Sequence, residues 1–106
     1  MKLSECIDEL EEARTEWAKA NKEILEAEKY ERTEDARLLR QSRDKVLSYL
    51  MEQLTQMYRD AEFSYHINLA KDILQIADRE QQEALRTAKC DMEILRGYMD
   101  YFGIKY

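Results

Sequence analysis

The 106-residue sequence predicts an all-α protein, an antiparallel three-helix bundle of coiled-coil type, and three observations carry that prediction. There is no proline, where average usage would place about five in a chain of this length. The only glycines are Gly97 and Gly103, so everything before residue 97 lacks both residues that most strongly interrupt a helix. Apolar residues also recur at sevenfold spacing, as a helix seam requires. The alternative with the same signature is a long helical hairpin that dimerises. Residues 1–106 read as a single helical domain, with helices near 4–30, 34–62 and 64–101 and an aromatic tail at 98–106. A core of this size gains little more from apolar burial than it loses in chain entropy, which favours self-association.

The first helix is expected to start at Ser4, whose hydroxyl can cap a free backbone N–H, with Glu5, Asp8 and Glu9 placed where the helix dipole favours negative charge. Leu3, Leu10, Trp17 and Ile24 form one sevenfold row, and Cys6, Ala13, Ala20 and Ala27 form a second, three positions later. A row of small residues lets a neighbouring helix come close. Polar residues from Glu28 to Asp35 then mark a turn near residues 31–33, and Thr33-Glu34-Asp35 reads as the next N-terminus. With no glycine or proline available, turns are expected from Thr, Asp, Asn or Ser.

The second helix carries Leu39, Val46, Leu47, Leu50, Met51, Leu54, Met57, Tyr58, Ala61 and Tyr65 over two adjacent stripes, a width that suits a central helix touching two neighbours. Beyond it, Phe63, Tyr65, Ile67 and Leu69 alternate with polar residues, a period of two that strands also have. A lone strand would have no partner, so a break near residues 60–64 is expected. The other possibility is one helix continuing to about Ala77, with Asp78 capping the next. In the last segment Ala70, Ala77 and Ala84 repeat the small-residue row of the first helix. Packing the two rows together within the chain or between two copies fits the pattern equally.

Charge is segregated. Residues 1–35 hold twelve carboxylates against six cations, which accounts for the whole net charge of −6; the other 71 residues are balanced. The field of the protein therefore comes mainly from its first helix. No apolar run approaches a membrane span and the start has no signal-peptide character, so the expected location is cytoplasmic. Cys6 and Cys90 stand apart, outside any CxxC pair, and read as reduced thiols rather than as a metal or disulfide framework.

Catalysis needs convergent, mutually activating groups, and the chain has one histidine, His66, with no orienting motif nearby. Carboxylate-bridged metal sites in bundles use paired Glu-x-x-His motifs, whereas Glu62 and His66 lie four apart and no second motif exists. Glu-x-x-Glu occurs at Glu9–Glu12, Glu23–Glu26 and Glu80–Glu83, but the one Glu-x-x-Asp, Glu5–Asp8, precedes them all, the wrong order for a helical magnesium-dependent pyrophosphatase. No Gly-rich phosphate loop is present. The expectation is a protein that is not an enzyme, with no catalytic, cofactor or metal residues. Arg37, Arg40 and Arg43 form a basic stripe, but Glu34, Asp35 and Asp44 interleave with it, so direct nucleic-acid binding is not expected.

What remains is binding. The sequence predicts a small non-catalytic helical binding protein, an adaptor, assembly factor or protein inhibitor, that partners another protein and forms homo-oligomers. Its expected contact residues are the tail aromatics and their neighbour: Tyr98, Tyr101, Phe102, Ile104 and Tyr106. The alternative is an acidic inhibitor of a nucleic-acid-handling enzyme, of the phage or mobile-element type, whose Glu9, Glu12, Glu16 and Glu23 imitate a nucleic-acid backbone.

Overall fold

The computed structural model describes residues 3–106. It has three helices, α1 (Leu3–Lys29), α2 (Thr33–Ile73) and α3 (Arg79–Phe102), joined by two short turns and with no strand among the described residues. The all-α, three-helix, coiled-coil-like class expected from the sequence is the one observed. The chain divides into two compact units, Met1–Leu50 and Met51–Tyr106, with the boundary inside α2.

In the first unit α1 pairs antiparallel with the opening half of α2. Leu3, Cys6, Leu10, Ile24 and Ala27 are buried on α1, and Ala13, Trp17 and Ala20 are half-buried, so both predicted sevenfold rows face inward. Ala36 and Leu50 are the buried residues on the α2 side. Arg43 donates from Nη1 to Asn21 Oδ1 at 2.8 Å, and Arg40 pairs with Glu28. The exposed Arg40–Glu28 pair adds at most about 1 kcal/mol; the use of the two contacts is to fix the antiparallel register. Ser4 lies within α1 and does not cap it.

All three helices end in the same way. After α1, the Arg32 N–H donates to the Ala27 carbonyl at 2.8 Å and the Glu31 N–H to that of Glu28 at 3.1 Å. After α2, the Ile76 N–H reaches Lys71 and the Gln75 N–H reaches Asp72, both at 3.0 Å. After α3, the Ile104 N–H reaches Met99 at 2.7 Å and the Gly103 N–H reaches Asp100 at 3.2 Å. These paired six-to-one and five-to-two bonds are Schellman motifs, which need a left-handed residue at the reversal. Gly103 (φ 72°) suits that position, but the other two are occupied by Glu31 (φ 58°) and Gln75 (φ 60°), where a side chain crowds the following carbonyl. The turns are thus made by Glu and Gln, not by the Thr, Asp, Asn or Ser expected.

The second unit joins the rest of α2 to α3 and corrects the sequence reading at one boundary. α2 continues to Ile73 and does not stop near residue 62. The period-two alternation has a helical explanation: Phe63 and Ile67 are one i,i+4 pair on the outer face, exposed, while Tyr65 and Leu69 are another on the opposite side, half-buried. Asp78 is the N-cap of α3, as the continuous-helix alternative required. Its carboxylate accepts from the Gln81 N–H at 2.8 Å and Gln81 Oε1 accepts from the Asp78 N–H at 3.1 Å, a complete capping box.

This boundary dissolves the second alanine row. Ala70 is exposed on α2, Ala77 lies in the turn and only Ala84 is on α3, so no single helix presents all three. The inward seam of α3 is Ala84, Ala88, Asp91, Leu95, Tyr98 and Phe102, at alternating four- and three-residue steps. Leu54 on α2 and Met99 on α3 are fully buried. Asp91 is the one charged member of that seam. Partial burial raises its carboxyl pKa above the ordinary 3.8, and it belongs to no ion pair among the described residues.

Two predictions follow from the caps and the seam. Gln75→Gly relieves the left-handed strain and should stabilise the protein by about 0.5–1 kcal/mol after the extra unfolded-chain entropy is counted, whereas Gly103→Ala should destabilise it. The Gly103 Cβ would meet nothing within 4 Å, so that loss is a backbone effect. Thermal unfolding of both variants checks this; a lower melting temperature for Gln75→Gly would contradict it. For Asp91, a raised folded pKa means the native state binds more protons than the unfolded one, so this group's contribution to stability falls as pH rises through and above 3.8. Asp91→Asn should remove that decline, making the variant more stable than the parent at neutral pH and narrowing the difference at pH 3.

Candidate interaction surfaces

The residues that leave the core unexplained are apolar and lie on two surfaces. The first is the outer face of α2 in the second unit. Phe63, Ile67, Ala70 and Leu74 follow steps of four, three and four, with Leu74 at the very end, where the helix passes into the Schellman turn. All four are exposed, and Ile73 and Ile76 extend the patch around the turn; the five large members are 39–70% accessible. Single exposed apolar side chains are ordinary. A continuous run at seam spacing is the pattern by which a helix recognises another helix.

The second surface is a groove between α1 and α2 in the first unit. Trp17 and Ala20 from α1 meet Leu39 and Val46 from α2 around a cavity of about 170 Å³, edged by Glu16, Ser42 and Arg43. Leu39 and Ser42 also line a wider cleft of about 400 Å³, with Glu23, Glu26 and Ala27 on one side and Arg32, Asp35 and Leu38 on the other. The shared residues make the two one groove along the hairpin. Val46 is 50% and Leu38 49% exposed, so its α2 wall is apolar and open.

Charge along this groove is unequal. Arg32 stands 3.9 Å from Asp35, and Arg43 is engaged by Asn21 and by Asp44 at 3.1 Å. Glu16, Glu23 and Glu26 are exposed and belong to none of the ion pairs among the described residues. Glu9, Glu12, Glu16 and Glu23, the acidic residues singled out in the sequence, are all exposed on one side of α1, with Lys19 between the last two.

The C-terminal segment departs from the expectation at Ile104, whereas the burial of two of Tyr98, Tyr101 and Phe102 in the core stripe of the last helix is the ordinary expectation for that helix. Tyr98, Phe102 and Ile104 are buried and Tyr101 is half-buried. Ile104, expected outside the core, is only 4% accessible because the Gly103 reversal folds it back along the last turn of α3. Tyr106 is exposed but held. Its ring centroid lies 5.6 Å from that of Tyr58, and the Arg96 guanidinium lies 5.6 Å from both rings while donating to Tyr58 Oη at 3.0 and 2.9 Å. That hydrogen bond is the main reason the Arg96 pKa lies above its ordinary value.

The groups that bear on chemistry are dispersed. His66 is exposed with its ring against Tyr65, at 5.6 Å; Cys6 is buried and Cys90 exposed, both as free thiols. No cluster of three or more His, Cys, Asp or Glu suited to a metal exists among the described residues, and no helix among them is long and apolar enough to cross a membrane. The α2 stripe was present in the sequence as the alternation at residues 63–69, hidden by its strand-like period. The groove had no linear signal, because its walls come from two antiparallel segments whose facing residues lie anywhere from about 6 to 30 positions apart. Comparison with protein families, with curated proteins and with solved structures finds no match to this chain.

Proposed function

We propose that this chain is a small non-catalytic helical binding protein, an adaptor, assembly factor or protein inhibitor, that self-associates and presents helix faces to a protein partner. The observation that supports it is the exposed α2 stripe, Phe63, Ile67, Ala70 and Leu74. Burying a side chain such as Phe or Leu is worth about 1.5–3 kcal/mol, so a helix that leaves several in water at seam spacing gains most by meeting a similar seam. Two copies of the stripe satisfy that. A two-fold contact sets Ala70 of one copy where it leaves room for a larger side chain of the other.

Sedimentation of the parent and of Phe63→Gln/Leu74→Gln tests the reading. Both positions are exposed, so the double variant keeps its helix content by circular dichroism. The expected outcome is a concentration-dependent dimer for the parent at micromolar concentration and a monomer for the variant. A parent that stays monomeric, or a variant that associates equally well, would refute self-association through this stripe.

A second reading is favoured by the exposed alignment of Glu9, Glu12, Glu16 and Glu23: an acidic inhibitor that occupies the basic groove of a nucleic-acid-handling enzyme. Charge reversal at these four positions should abolish such inhibition and leave α2-mediated association unchanged.

A further inference from the structure

We propose that the α1–α2 groove of the first unit is a docking site for a basic amphipathic helix of a partner protein. The inference rests on the binding-protein reading above but uses a surface other than the α2 stripe. The groove has the dimensions of a helix site: Trp17 to Ala27 covers eleven residues of α1, roughly 15 Å or three turns, long enough for the i, i+3, i+4, i+7 anchors of a helix laid in a groove. Its floor suits close approach. Ala20 is small and half-exposed, while Trp17, Leu39 and Val46 supply apolar contact.

Charge selects the occupant. Arg32 and Arg43, the cations lining the groove, are already engaged by Asp35 and by Asn21 and Asp44, whereas Glu16, Glu23 and Glu26 make no ion pair among the described residues, and Lys19, between Glu16 and Glu23, offsets only one of those three charges. The uncompensated charge at the rim is therefore negative. A segment with lysine or arginine flanking its apolar face is attracted there; a second copy of this chain, with its own net charge of −6, brings carboxylates against carboxylates. The C-terminal residue is engaged elsewhere, against Tyr58.

Trp17, the chain's single tryptophan, lines the groove and reports its occupation directly. The full chain is titrated with a synthetic helical peptide carrying leucine on one face and lysine elsewhere, and with the same peptide bearing glutamate for lysine, while Trp17 emission is followed. The expected result is a saturable blue shift with the lysine peptide and none with the glutamate peptide. Val46→Arg and, separately, Glu16→Gln/Glu23→Gln/Glu26→Gln should each weaken binding by at least about tenfold, which corresponds to about 1.4 kcal/mol. All four positions are exposed, and circular dichroism confirms that these variants stay folded. Phe63→Gln/Leu74→Gln should bind the peptide as the parent does. The proposal is overturned by an absent shift, by equal binding of the two peptides, by equal affinity in all groove variants, which would mean general attraction to an acidic surface, or by an oligomer that Val46→Arg dissociates, which would place a second copy in the groove. A parent that associates through α2 but binds no peptide refutes this inference and leaves the broader reading standing; a parent that binds the lysine peptide but stays monomeric does the reverse.

Discussion

A helix stops only where its last carbonyls find other donors, and in this chain that requirement is met by a left-handed residue at each C-terminus. Glu31 and Gln75 take that conformation although each carries a Cβ. The conformation costs about 1–2 kcal/mol for a residue of this kind, and it is offset by two hydrogen bonds to carbonyls that would otherwise be orphaned. The lengths of α1 and α2 depend on those two positions. So does the entry to α3, because Gln75 delivers the chain to Asp78 three residues later, where the capping box takes over.

Helix lengths in turn decide which apolar residues are covered. In the first unit only two helical segments meet, and a helix pair buries the stripe between its members while the flanks of both stay open. Leu38 and Val46 are such flanks. In the second unit α2 turns Leu54, Tyr58 and Ala61 inward, and Phe63, Ile67 and Leu74 are left on its other side. The magnitudes make these surfaces suitable for reversible contacts. Each large side chain offers about 1.5–3 kcal/mol on burial, while association costs on the order of 4–15 kcal/mol in lost freedom.

How much of this could be read from the sequence depended on whether a signal is periodic or conformational. The register of α1 was legible because Leu3, Leu10, Trp17 and Ile24 repeat without interruption, and Asp78 was legible as a cap because capping chemistry is local. The end of α2 was not, since nothing in the composition of Gln75 announces a positive φ; any residue able to tolerate the strain serves. The strand-like run at residues 63–69 misled for a geometric reason. Four apolar residues spaced by two form two i,i+4 pairs on opposite faces of a helix, so a pattern that looks one-sided in a strand is two-sided here. Ile104 was misplaced because a glycine reversal folds the chain back, and position in the sequence says nothing about that. The groove required knowing which residues of two helices face each other, which no single periodicity contains.

The two surfaces differ most in their electrostatic setting, and that difference follows from where the charge was placed in the chain. Residues 36–106 are balanced, eleven carboxylates against eleven cations, and the α2 stripe lies within them; the excess of six carboxylates belongs to residues 1–35, which supply Glu16, Glu23 and Glu26 to the groove. Two identical copies can therefore meet at the stripe with little local repulsion, whereas meeting at the groove would bring like charges together at short range, where screening is weakest. Segregating the charge separates the tasks. In the scheme proposed above, the α2 stripe serves self-recognition and the acidic groove disfavours a second copy while attracting a cationic helix, so that one net charge would supply both the attraction and the exclusion that specificity requires.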